Sequence, residues 1–240
     1  MRTIAELSKN LLSKLRLVPN TNLLLVRVPT NEGRTTEGGI IVGFNDDVQY
    51  AEGSGSHMAD MAEVHGTVVK APDKLYYSKD DAYSMSWKTM MMVKEGDEVW
   101  FNFIASTHST GFKIDGEMYL FIPYADCLVA KRGEEVIPLN GYVLLSEMNK
   151  EEVSKVLYLA ETDKVDLQRG TVRFVGEPNA EYRVDTFSDD IDIQEGDVVQ
   201  IKAGFTPFRL ERQKYFSDFG EMLLVVQRRN IDFNYGNNKV

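Results

Sequence analysis

Both halves of the chain carry runs of four to eight residues rich in Val, Ile, Leu, Phe and Tyr, bounded by Gly, Asn and Asp. In the first half these are residues 22–28, 66–70, 98–103 and 118–122; in the second, 141–145, 170–175, 198–202 and 222–226. Runs of this length and composition predict short β-strands joined by tight turns. Regular spacing of such strands predicts a small closed barrel in each half, because closure removes exposed edges. The N-terminus is patterned differently. Ile4, Leu7, Leu11, Leu12 and Leu15 fall at helical spacing with Lys9, Lys14 and Arg16 between them, which predicts a short amphipathic helix over residues 1–18, packed on the barrel or on a neighbouring chain.

The strand pattern is doubled by three phrases that recur in order. Gly66-Thr67-Val68 returns as Gly170-Thr171-Val172, and Gly116-Glu117-Met118 returns as Gly220-Glu221-Met222, both at an offset of 104 residues. Glu95-Gly96-Asp97 with Val99 returns as Glu195-Gly196-Asp197 with Val199 at an offset of 100. Three separated tripeptides repeated at nearly constant spacing indicate two copies of one domain of about 100 residues. The junction is expected in the charged, glycine-punctuated stretch Arg132-Gly133-Glu134-Glu135, giving a first domain over residues 19–133 and a second over 134–240. In the Glu-Gly-Asp turns, glycine accepts a positive φ and the aspartate side chain is expected to bond backbone N–H groups just ahead of the next strand.

The copies differ most between their first strand and the Gly-Thr-Val strand. Aligning Pro19 with Pro138 gives an offset of 119, which falls to 104 at Gly-Thr-Val, so the first copy carries 15 extra residues there. This segment opens with the polar stretch 29–39, continues with Ile40-Ile41-Val42, and runs on through Gly-, Ser- and acid-rich sequence to residue 60. Three aliphatics flanked on both sides by small polar residues describe a loop that presents a hydrophobic tip.

Composition narrows the function. Lys and Arg total 27 against 37 for Asp and Glu, a net charge of −10, which argues against nucleic acid as a partner. No uninterrupted apolar run is long enough to cross a bilayer as a helix, so a soluble, cytoplasmic protein is expected. The single cysteine, Cys127, excludes an internal disulfide and reads as a small buried residue. His57, His65 and His108 are scattered without metal-ligand spacing, and no phosphate-binding Gly-rich loop occurs, so neither a metal, a cofactor nor catalysis is expected. The acid pairs Asp80-Asp81 and Asp189-Asp190 read as solvated turns, and Ser106-Thr107-His108-Ser109 has no triad spacing.

The ordered set of motifs resembles the GroES-type co-chaperonins, the lids of the chaperonin folding chamber. The residues that carry the resemblance are Gly38-Gly39-Ile40-Ile41-Val42 in the long loop, Arg169-Gly170-Thr171-Val172 with its counterpart His65-Gly66-Thr67-Val68, and Val93-Lys94-Glu95-Gly96-Asp97-Glu98-Val99. The resemblance spans residues 19–129 and, more weakly, 138–233. It implies an all-β chain of two tandem GroES-like small β-barrels, and a roof hairpin where Tyr76, Tyr77, Tyr83 and Trp87 occur. It further implies that Gly38, Gly39, Ile40, Ile41 and Val42 dock into a groove of a chaperonin whose bound ATP drives the cycle. Burying three such aliphatics contributes roughly 5–8 kcal/mol gross, of which loop ordering removes several. One loop would therefore bind weakly, and a homo-oligomeric ring presenting several would bind strongly. The second copy departs from the family, since residues 146–168 lack Gly-Gly-Ile and offer only Val156-Leu157-Tyr158-Leu159 as an apolar tip. A structural or assembly protein, for example of a virion, that reuses tandem β-barrels is the alternative.

Overall fold

The computed structural model describes residues 5–6, 12, 14–17, 21–29, 34–35, 41–42, 65–77, 89–102, 105, 109–149, 165–177, 193–205, 208–209, 219–221 and 223–236. Among these the regular structure is almost wholly β. The chain divides into two compact units: Met1–Ser86 with Met90–Glu134, and Trp87–Thr89 with Glu135–Val240.

The first unit contains β1 (Ala5–Glu6), β2 (Leu23–Val28), β3 (Arg34–Thr35), β4 (Ile41–Val42), β5 (His65–Lys70), β6 (Glu98–Phe101), β7 (Gly111–Ile114), β8 (Glu117–Pro123) and β9 (Cys127–Arg132). Its main sheet runs β1-β7-β8-β2-β5-β6-β9, while β3 and β4 form a two-stranded sheet of their own. The second unit contains β10 (Glu135–Pro138), β11 (Tyr142–Asn149), β12 (Val165–Val175), β13 (Val198–Ile201), β14 (Phe208–Arg209), β15 (Leu223–Gln227) and β16 (Ile231–Asn234). Its sheet runs β14-β15-β11-β12-β13-β16. Neither sheet closes on itself among the described strands.

Leu24, Leu25 and Val26 on the central β2 are fully buried, as are Trp100 and Phe101 on β6. In the second unit Val143, Leu145, Val172, Val199, Ile201, Leu224 and Val226 form one cluster. Cys127 is fully buried, and burial, reinforced by neighbouring Asp126, raises its thiol well above the ordinary range.

The units repeat one another pair for pair. Leu25↔Lys70 and Val26↔Val68 on β2–β5 correspond, at offsets of 119 and 104, to Leu144↔Phe174 and Leu145↔Val172 on β11–β12. Both ladders slip register at the same step, between Leu25 and Val26 and between Leu144 and Leu145. On β6–β9, Trp100↔Val129 and Phe101↔Cys127 correspond to Gln200↔Phe233 and Ile201↔Ile231 on β13–β16, again with a shared slip. The Glu-Gly-Asp turns match in detail: Gly96 and Gly196 adopt φ of 91° and 89°. Lys94 N and Gln194 N donate to Oδ2 of Asp97 and Asp197 at 2.8 and 2.9 Å. The aspartates do what the sequence leads one to expect of them.

The expectation of a helix over residues 1–18 is corrected at Ala5–Glu6 only, Leu12 being helical. Ala5–Glu6 are extended and pair in parallel with Phe112 and Lys113 of β7. An isolated helix of this length is marginal in water, whereas the free edge of β7 offers backbone groups that need partners. The expected burial is found nonetheless, with Leu12, Leu15 and Leu17 packing on the cluster of Leu25, Phe112, Ile114 and Tyr119.

Candidate functional site

The long insertion of the first unit leaves the sheet at Val28, the last residue of β2, and returns at His65, the first of β5. Within it, Thr35 pairs with Ile41 and Arg34 with Val42 in the antiparallel β3–β4 ribbon. Thr, Ile and Val favour extended backbone because their β-branched side chains suit a pleated surface. Of the five residues expected to make contact, Ile41 and Val42 thus lie on a strand of a separate small sheet. Gly38, Gly39 and Ile40 lie outside the described residues, as do Tyr83, Trp87 and the second unit's Val156–Leu159 stretch.

The foot of this insertion is tightly built. Gly66 has no room for a side chain: an added Cβ would stand 2.5 Å from the Arg27 carbonyl oxygen and 2.6 Å from Val26 Cγ1. Next to it the His65 ring lies against Trp100, with centroids 4.4 Å apart and planes inclined by 34°. Arg27, Val28, Pro29, His65, Gly66, Thr67 and Glu117 line an open groove of about 400 Å³. Across it Arg27 Nη1 reaches Glu117 Oε1 at 3.4 Å, and both side chains are about half exposed, so the pair contributes little. Tyr119 donates its hydroxyl to Glu117 Oε2 at 2.9 Å. Burial, and then this bond to a carboxylate, raise the Tyr119 phenol above its usual range.

The equivalent place in the second unit is organised differently. Its ladder continues to Met148↔Asp166 and Asn149↔Val165, which shortens the connection between the strands to residues 150–164. Glu221 accepts from Ser146 Oγ at 2.5 Å and from Arg173 Nε at 2.8 Å. The acid is retained in both units, but its arginine comes from β2 in the first and from β12 in the second. Gly170 is again closely packed, with an added Cβ 2.7 Å from Leu145 Cβ.

Sequence reasoning missed the clamp that holds the segment after β5. Asn22, buried and at φ 47°, donates Nδ2 to Tyr76 O at 2.6 Å and accepts from Tyr76 N at 2.7 Å. Its amide thereby replaces a strand partner for one residue. Further along, the Tyr124 hydroxyl donates to Met90 O at 3.2 Å, and Arg132 Nη2 donates to Met92 O at 2.9 Å. The only sequence signal was an asparagine just ahead of a strand, a residue that tolerates left-handed backbone. Tyr76 and Tyr77 remain exposed at the surface of this clamped segment.

Among the described residues no group of three or more His, Cys, Asp or Glu is placed to hold a metal, and no helix is long and apolar enough to cross a membrane. The groove is lined by one guanidinium, one carboxylate, one imidazole and the Thr67 hydroxyl. No protein-family model and no curated protein sequence matches the chain.

Proposed function

We propose that this chain is a double-domain co-chaperonin of GroES type, cytoplasmic and assembled as a homo-oligomeric ring, that caps a chaperonin chamber through Gly38–Gly39–Ile40–Ile41–Val42. The observation that carries the reading is the β3–β4 ribbon, which sets Ile41 and Val42 on a sheet separate from the main one. The pair-for-pair internal duplication supports two GroES-like barrels in tandem as the architecture. In this reading the second unit completes the lid, and contact is made by the first alone, because only its connection carries Gly-Gly-Ile. Each loop binds weakly and lets go when the chaperonin changes state; several loops acting together supply the affinity.

The test compares binding of the intact protein and an Ile40→Ser, Ile41→Ser variant to a GroEL-type chaperonin, with and without ATP. Nucleotide-dependent binding that is lost in the variant is the expected result. Failure of the intact protein to bind several chaperonins would overturn the proposal in favour of a structural or assembly role.

A further inference from the structure

We draw no further inference here: the strongest candidate, the surface patch formed by exposed Phe233 and Tyr235 along β16, the terminal strand of the second unit's sheet among the described residues, carries nothing because nothing in the structure shows what covers it.

Discussion

Replacing Gly66 with alanine probes why Gly-Thr-Val recurs. The new Cβ would lie 2.5 Å from a backbone carbonyl oxygen, Arg27 O, and 2.6 Å from Val26 Cγ1. Neither neighbour can swing aside, since Val26 is fully buried and Arg27 is held in the β2–β8 and β2–β5 ladders. Forcing the strands apart costs about 2–3 kcal/mol by the usual scale of overpacking. Alanine also restricts the unfolded chain, which offsets roughly 0.4–1 kcal/mol. The net loss should be about 2 kcal/mol, a shift of roughly thirtyfold in the folding equilibrium of the first unit. Gly170→Ala should act in the same direction on the second unit, through Leu145 Cβ at 2.7 Å. Urea unfolding followed by tryptophan fluorescence, which reports the first unit through buried Trp100, measures this as a lowered midpoint at unchanged slope. An unchanged or raised midpoint for Gly66→Ala would show that β2 yields without cost and that close packing is not the reason for the glycine.

Two further predictions concern buried side chains. Asp97 accepts from Arg132 at 2.7 and 2.9 Å, while its counterpart Asp197 accepts from neutral Asn234 at 2.7 Å. Asp97→Ala should therefore cost about 2–4 kcal/mol, because it strands a half-buried guanidinium as well as Lys94 N–H, and Asp197→Ala closer to 1–2; equal losses in denaturant titrations would show that the ion pair adds nothing. For Cys127, burial raises the folded thiol above its unfolded pKa, so the folded state holds its proton longer. The stability this contributes is fully present below the unfolded value of about 8.5 and is lost as pH rises through the folded one. Iodoacetamide at pH 8.5 should accordingly modify the native chain only at the rate of unfolding, and fast stoichiometric labelling of native protein would contradict the burial.

Much of the fold was legible because it is written twice. The offsets of 104, 100 and 119 read from short phrases reappear as the register of the ladders, since a repeated strand sequence with a repeated turn leaves the pairing little freedom. The function of Asp97 and Asp197 was readable for the same reason: it is local. The Asn22 clamp was not, because its partner Tyr76 lies 54 residues away and the bond runs to backbone, which leaves no trace in residue type. The helix expected over residues 1–18 failed at Ala5–Glu6 because helical spacing reports which side chains are buried and says nothing of a nearby strand edge in want of partners. Of the candidate loop, the strand character of Ile41 and Val42 follows from their branching, and its isolation from the main sheet comes from topology alone.

A chain that contains the same ladder twice must keep its strands from choosing the wrong copy while it folds. In the native pairing His65 faces Trp100, with ring contact, and Arg169 faces Gln200. Joining β5 to β13 in the same register would set His65 against Gln200, forfeit that ring contact, and leave Trp100 opposite arginine. The relocated arginines add a second, weaker preference, for Glu117 is served by Arg27 from one neighbour strand and Glu221 by Arg173, which is not its equivalent. A strand exchanged between copies would bring both cations to one acid and none to the other. Divergence at these few positions, with the register held constant, gives each copy a private set of partners and so discourages the cross-paired species to which tandem repeats are prone.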